Sequence, residues 1–481
     1  MKRLVAAFSA LALASVATGK DLIGVYQDAL RFDTQIREAD ATRKAAREAN
    51  PQAWAALLPQ VSGNYAWTRS KFNGAQLQPF PAPNGGAPIG LPINITEYST
   101  QHGYQLQLQQ SVFSWANLET IAKAHKQVAQ AEAAYHAAQE DLVQRVAIAY
   151  FNILNAKDNL DAQQASLEAL TRQLDQANKR FQVGLIAITD VKEAQAAHDS
   201  AAAAVIDAKR NLANMQQALR EITDQDYPNL SKPGEDMPLQ PPKPADPERW
   251  VSVSMDQNLN LVAAKLSADV ARDNVRIAFG GHLPTLSITG TRSDQRTSVD
   301  ETFAFPGGSP TRINGPTFNT NNQIGLQINV PIFSGGLVQS EVRQAQYQWI
   351  AAKDHVQTVS RQTEHQARDA YDGVVSEASR VSALKANVES AQTALQATEA
   401  GYQVGTRTAV DVLTQRQALV QAQTNYAQAR YTYITDIIAL RLAAGTLDES
   451  ALDEIDHWLT VNEPISTAPV TQPAPGVPPQ P

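Results

Sequence analysis

At 481 residues the chain is long enough for several domains, yet aromatics supply only 6% of it and Ala and Gln crowd long stretches, which favours elongated helices over several compact cores. The formal net charge of −8 disfavours nucleic acid as a partner. With no cysteine, a disulfide framework, a thiolate metal site and a lipid-bearing Cys are excluded, while an oxidising compartment remains compatible.

Taken in chain order, residues 1–19 read as a secretory leader. Lys2 and Arg3 precede an apolar run from Leu4 to Val16, followed by small residues at Ala17 and Gly19, either of which suits cleavage. Its loss would take the net charge from −8 to −10. Beyond it no uncharged apolar run reaches the 18 or so residues of a membrane helix, so a membrane span would have to be a β-barrel.

The rest of the chain is a duplication. An offset of 221 residues aligns Ala149-Tyr150 with Ala370-Tyr371, Phe181-Gln182-Val183-Gly184 with Tyr402-Gln403-Val404-Gly405, and Asp190-Val191 with Asp411-Val412. With small changes of offset, Leu106 to Ser114 matches Leu326 to Ser334, and Leu58-Pro59 matches Leu283-Pro284. Two copies of one unit are therefore joined near the Pro-rich stretch from Tyr227 to Pro247.

The first copy reads as a helix (20–57), a β-hairpin (58–113) and a long then a short helix (114–222). A Pro-rich linker (223–246) leads to the second copy: a helix (247–282), a hairpin (283–333) and again a long then a short helix (334–445). A C-terminal segment (446–481) closes the chain, disordered from Glu463 onward where Pro, Thr and Gln dominate. In the long helix, apolar or small residues at Val128, Ala131, Tyr135, Ala138, Leu142, Val146, Ala149 and Ile153, continuing to Phe181, keep a coiled-coil seam. The four-four step at Ala138, Leu142 and Val146 is a stutter that relaxes the supercoil. Each long helix of some 67 residues should extend about 100 Å, with two shorter helices stacked end to end beside it. The linker then falls at mid-height.

The hairpin segments alternate. Val61, Gly63, Tyr65 and Trp67 share one face against Gln60, Ser62, Asn64 and Thr68; Tyr104, Leu106 and Leu108 oppose Gln105, Gln107 and Gln109. In the second copy Leu286 and Ile288 oppose Thr285, Ser287 and Thr289, and Ile324, Leu326, Ile328 and Val330 oppose Gln327 and Asn329. An apolar outside and an uncharged polar inside suit a water-filled membrane barrel, although a soluble two-sheet sandwich has the same period. Four strands cannot close such a barrel, and two chains would give a filled interior, so three chains sharing twelve strands fit best. The fold class is thus an α+β membrane protein, a twelve-stranded barrel shared by a homotrimer and continued by a helical coiled-coil barrel. The loops at 71–97 and 299–319 should face the exterior. Aromatics Tyr65, Trp67, Tyr98, Tyr104, Phe113 and Phe333 suit interfacial belts against lipid, or for a few of them packing between barrel and helices.

Two tight turns read RFQVGLIAITDV (Arg180 to Val191) and GYQVGTRTAVDVL (Gly401 to Leu413). Together with the duplication and the strand pairs they resemble the TolC family of outer-membrane ducts, over roughly residues 20 to 450. The resemblance implies a passive trimeric exit duct in the outer membrane, its helices in the periplasm of a Gram-negative bacterium. A duct of that family is expected to serve drug efflux or type I protein secretion, with outer-membrane lipid around it and a periplasmic adaptor and an inner-membrane RND or ABC transporter as the partners the resemblance implies.

The resemblance also implies a gate latch at Thr189, Asp190, Tyr402 and Arg407, a carboxylate facing a guanidinium and a phenol through charge-assisted bonds. Without it, Asp190 and Arg407 read as solvated turn charges. Asp411 matches the first of two acidic rings at the family's pore constriction, whereas the second position is Thr414, a departure that puts full cation selectivity in doubt. Asp411 also completes Thr408-x-x-Asp411, a capping box. Gly184 and Gly405 suit left-handed helix ends, and the tip at Gly184, Leu185, Gly405 and Thr406 matches the family's adaptor contact.

No catalytic constellation, metal spacing or phosphate loop is present, so neither an enzyme nor a cofactor is expected. Gly280-Gly281 and Gly335-Gly336 fall at helix–strand junctions, where small residues let the chain bend. The rival readings are a trimeric autotransporter or adhesin and a structural periplasmic coiled-coil tether.

Overall fold

The computed structural model describes residues 20–81, 85–304 and 308–465. The expected leader at 1–19 and the chain from 466 lie outside the described residues. Two compact units are present: one built from the chain before Ala45, Gln130–Lys265 and the chain after Lys353, the other from Ala45–Ala129 and Leu266–Lys353.

The elements follow the duplicated order. The first copy holds α1 (Leu22–Phe32), α2 (Thr34–Arg47), α3 (Ala49–Ala55), β1 (Gln60–Phe80), β2 (Ile89–Phe113), α4 (Trp115–Gln182) and α5 (Ile188–Thr223). After β3 (Asn229–Pro233), the second copy holds α6 (Pro247–Gln257), α7 (Leu259–Phe279), β4 (Thr285–Ala304), β5 (Thr311–Asn329), α8 (Leu337–Gln403) and α9 (Ala409–Ala444). The chain then forms α10 (Glu449–Asp456) and β6 (Leu459–Pro464). The long helices α4 and α8 run unbroken for 68 and 67 residues, and no described helix is apolar enough to cross a membrane.

Where one N-terminal helix was expected over 20–57, the chain breaks at Asp33. Its extended backbone ends α1, and its Oδ1 accepts the Ile36 amide at 2.8 Å. The buried carboxylate is ion-paired to Arg145 at 3.0 Å. The second copy breaks in the same way at Asn258, whose Oδ1 accepts the Leu261 amide at 3.0 Å while its Nδ2 donates to the Ala443 carbonyl at 3.1 Å. In each copy a capping side chain starts the second helix, and a partner remote in sequence fixes the corner.

The sheet unit carries one antiparallel sheet in the order β1-β2-β4-β5. Both hairpins pair in continuous register, Gln60↔Gln109 through Phe80↔Ile89 and Thr285↔Asn329 through Phe303↔Thr311, and β2 joins β4 between the copies. The strands outrun the expected ones, so the loops at 71–97 and 299–319 shrink to residues 81–88 and 305–310. Side-chain alternation fades where the strands leave the apolar band, but backbone pairing does not depend on it.

The registers align the faces in rows. Val61, Leu108, Gly290 and Ile324 form an apolar row; Ser62, Gln107, Thr291 and Gln323 form the adjoining polar one on the opposite face. Ile324 is 80% exposed and Tyr65 68%, so the apolar face has no cover within the chain. β1 and β5 are open edges of about twenty residues, which neighbouring chains must pair. Below the strands, Ala53 of α3 packs on Ile121 and Ala124 of α4. At the junctions Gly335 and Gly336 take φ of 63° and 85°, while a Cβ on Gly281 would come within 2.9 Å of Val338. These glycines turn the chain and let it pass close to α8, as their small size suggests.

The helical unit has a core around Leu142, Val146, Tyr150, Ile153, Leu212 and Ile434, so the seam positions Leu142, Val146 and Ile153 are buried as expected, whereas Phe181 at the end of the seam is exposed. The expected linker and tail are more structured than their composition suggests. β3 pairs antiparallel with β6, with Leu230 opposite Glu463. The Tyr150 hydroxyl sits 2.6 Å from the Ser231 carbonyl. The disorder expected from Glu463 is corrected for Glu463–Ile465 alone, the rest of that tail lying outside the described residues: the Glu463 carboxylate lies 2.7 Å from Lys232 and 3.2 Å from Lys157, charges that hold the strand in place.

Candidate gate, pore and barrel face

The two turns joining the long to the short helices are built alike. Gly184 and Gly405 adopt φ of 76° and 79°. At the first turn the Gly184 amide donates to Phe181 and the Leu185 amide to Arg180; at the second, Gly405 donates to Tyr402 and Thr406 to Gly401. These paired bonds satisfy the last carbonyls of α4 and α8, the Schellman arrangement that the repeated Val-Gly dipeptide requires. Leu185 and Thr406 stand exposed beside them.

The outgoing helices differ. Thr408 caps α9 in a full capping box, its hydroxyl accepting the Asp411 amide at 3.2 Å and its own amide donating to Asp411 Oδ2 at 2.9 Å. Ala187 caps α5 with no side-chain bond, leaving Thr189 and Asp190 in an undefended first turn. The Thr408 amide and hydroxyl, aided by the Arg407 charge, hold the Asp411 carboxyl below the usual Asp range. Thr414, at the position of the family's second acid, turns its hydroxyl back to the Val410 carbonyl at 2.9 Å.

Of the four residues expected at the latch, Tyr402 is brought to a residue that sequence reasoning missed. The Arg180 guanidinium, from the last turn of α4, lies 5.5 Å from the centre of the Tyr402 ring. The side chains of Asp190 and Arg407 have no hydrogen-bond or ion-pair partner among the described residues, and the structure does not bring them together. The stem of Arg407 instead lies against Gly401, where a Cβ would come within 2.8 Å of it. A second missed pair is Glu399 with Arg416, an ion pair joining α8 to α9. Arg180 carried a signal, since a cation ending a helix beside an aromatic of the paired turn is a stacking candidate. Glu399 and Arg416, 17 apart, carried none.

The polar face of the sheet holds a further acidic position. Glu97 of β2 lies directly opposite Glu301 of β4, and no other charged residue of the four strands shares that face.

The family described as outer membrane efflux protein matches residues 25–224 and 250–446, one segment for each copy of the duplication. The chain is similar to outer membrane protein TolC of Escherichia coli (strain K12), 35% identical over 479 residues covering 98% of this chain and 91% of the relative. It is also similar to the alkaline protease secretion protein AprF of Pseudomonas aeruginosa, 28% identical over 90% of this chain and 86% of that one. Among solved structures, the Campylobacter jejuni CmeC outer membrane channel shares the fold with a TM-score of 0.69 at 20% identity, over 96% of this chain and 98% of that one. With both copies matched and a relative of 35% identity spanning nearly its whole length, the chain belongs to the outer membrane efflux protein family, as an outer-membrane exit duct whose twelve-stranded barrel is shared by a trimer and whose helical part is periplasmic.

Proposed function

We propose that the duct is passive, closed at its helix tips by Thr189, Asp190, Tyr402 and Arg407, and opened by a periplasmic adaptor that engages Gly184, Leu185, Gly405 and Thr406. The observation that carries this reading is the state of the tip charges: Asp190 and Arg407 are half-buried and exposed, and neither side chain makes a hydrogen bond or ion pair among the described residues. A carboxylate and a guanidinium so placed are free to bond across to a neighbouring protomer. A few such links per trimer hold a gate and still yield to a partner. Asp411 is the acidic ring of the constriction, with its cap as a second role.

The transporter behind the adaptor is of the RND or ABC class. The name of AprF, a protease secretion protein, favours type I secretion, and the CmeC channel and the family description favour efflux; one duct can serve both. The adhesin reading places its strands at the C-terminus, whereas these lie in two pairs about 220 residues apart.

The test is single-channel conductance in planar bilayers. Asp190→Ala and Arg407→Ser should each raise it, and unchanged conductance in both variants would count against the latch. Recovery of the mature protein in the soluble periplasm would count against the duct as a whole.

A further inference from the structure

The outward face of the sheet is not apolar throughout. Following the registers from the helix-bearing end toward the loops, the first rows are mainly apolar: Phe113 and Leu286 with Ile328, Ile288 and Leu326 beside Gln110, then Val61, Leu108, Gly290 and Ile324. After a row of Gly63, Leu106, Arg292 and Asn322, that face brings in aromatics, Tyr65 beside Tyr104 and then Trp67 in the row of Phe318. Such a girdle marks the membrane–water boundary. Because the helical part is periplasmic, this girdle is at the outer leaflet.

From the row just below that girdle outward, the same face carries Arg292, Arg296, Arg69, Lys71 and Arg312 against only Asp294 and Asp300. Arg312 is committed to Asp300. The other four cations are exposed, and two of them lie over aromatic rings of the facing strand: Arg296 is 5.4 Å from the centre of Phe318 and Lys71 is 5.1 Å from that of Tyr98. From the row of Arg292 to that of Lys71 is eight residues, about 27 Å along the strand. At a strand tilt of about 40° this is about 20 Å along the membrane normal. The concentration is notable in a chain whose formal net charge is −8, and the opposite face of the same strands bears only Glu97 and Glu301.

Charged residues on a lipid-facing strand are costly near the bilayer midplane and tolerated at the interface. Here they begin one row below the girdle, at Arg292, and two of them, Arg296 and Lys71, hold their charged groups over aromatic rings. We infer that Arg69, Lys71, Arg292 and Arg296 form a docking surface for the phosphate groups of outer-leaflet lipids, holding a shell of anionic lipid around each protomer's part of the barrel. Guanidinium groups suit phosphate oxygens in paired bonds, and each cation at an anionic surface contributes about a fivefold gain in retention.

The test is native mass spectrometry of the intact detergent-purified trimer, titrated with diphosphorylated lipid A and, in parallel, with phosphatidylcholine. The wild-type trimer should retain lipid A in preference to phosphatidylcholine. Arg292→Gln with Arg296→Gln, and separately Arg69→Gln with Lys71→Gln, should each lower lipid A retention by about fivefold per charge removed. The Arg292→Lys/Arg296→Lys variant should keep most of it, and Asp294→Asn should raise it. Lipid A retention unchanged in a trimeric variant lacking all four cations would overturn the inference, as would equal retention of phosphatidylcholine by the wild type. If the glutamine variants do not assemble, Asp294→Asn decides, since retention no higher than wild type counts against it.

Discussion

Arg180 of α4 stacks on the ring of Tyr402 of α8, 5.5 Å from its centre, so the two helical hairpins of one protomer are tied at the tip by a contact that needs only the ring. A cation over a partly exposed aromatic contributes about 0.5–1 kcal/mol, or two- to fivefold in an equilibrium. Arg180→Gln should therefore shift the tip toward open by about that factor, read as raised single-channel conductance. Tyr402→Phe keeps the ring, so the effect of Arg180→Gln should persist in that background; Tyr402→Leu should abolish it. An equal effect in all three backgrounds would place the role of Arg180 at the end of α4 and not on Tyr402.

Asp411 should keep its charge to unusually low pH. Its carboxyl is depressed below the ordinary value of 3.8 by the Thr408 amide and hydroxyl and by Arg407. Because the depressed group stays ionised above its lowered value, cation preference should survive as pH falls past 3.8 and vanish only below it. Reversal potentials in a salt gradient measure this directly. Asp411→Asn should remove the preference at every pH, while Thr408→Ala should move its loss upward toward the ordinary value. A wild-type preference lost well above 3.8 would show that another acid, such as the Glu97 and Glu301 pair, sets selectivity.

A cavity of about 980 Å³ in the helical unit is lined by acids of α4, α8 and α9, among them Glu140, Asp369, Asp372 and Asp436. Burial pushes Glu140 up to about 7. Burial, with the fields of Glu377 and Asp369, pushes Asp436 up to about 6. The folded chain therefore holds protons that the unfolded chain has released, and stability falls as pH rises from the ordinary carboxylate range through those values. Thermal midpoints of the trimer should show Glu140→Gln and Asp436→Asn matching wild type near pH 4 and exceeding it near pH 8. A gain of the same size at both ends of that range would assign the effect to packing.

The large pattern was legible because it rests on periods and repeats. Alternation predicted the strand faces, and the repeated Val-Gly dipeptides predicted the reversals at Gly184 and Gly405. What was hidden depends on contacts remote in sequence. Asp33 and Asn258 look like tolerated polar residues within helical patterns until Arg145 and the Ala443 carbonyl are brought beside them. β3 and β6 are short strands more than two hundred residues apart, with prolines at their ends, and neither signals itself without the other. The Arg180 and Tyr402 stack and the Glu399 and Arg416 pair likewise arise only when α4, α8 and α9 come together at the tip. The latch charges Asp190 and Arg407 were readable as residue types at a turn, and neither side chain finds a partner among the described residues.

The ion pairs at β6 lead to the last prediction. Glu463 sits between Lys157 and Lys232, while Asp158 lies 3.6 Å from the same Lys232 and accepts the Tyr431 hydroxyl at 2.6 Å. The two lysines outweigh partial burial and hold the Glu463 carboxyl below its ordinary value of 4.5. An acid depressed in the folded state adds stability above its unfolded value, and this is lost as pH falls through the folded one. Glu463→Gln should therefore speed hydrogen exchange of the β3 and β6 amides at neutral pH, because two partly buried lysines lose a shared counter-charge. Once wild type is itself protonated, below the depressed value, the two proteins should exchange alike after correction for intrinsic rates. Equal exchange at neutral pH would mean that backbone pairing alone holds β6, and Glu463 would then be a bystander to its own strand.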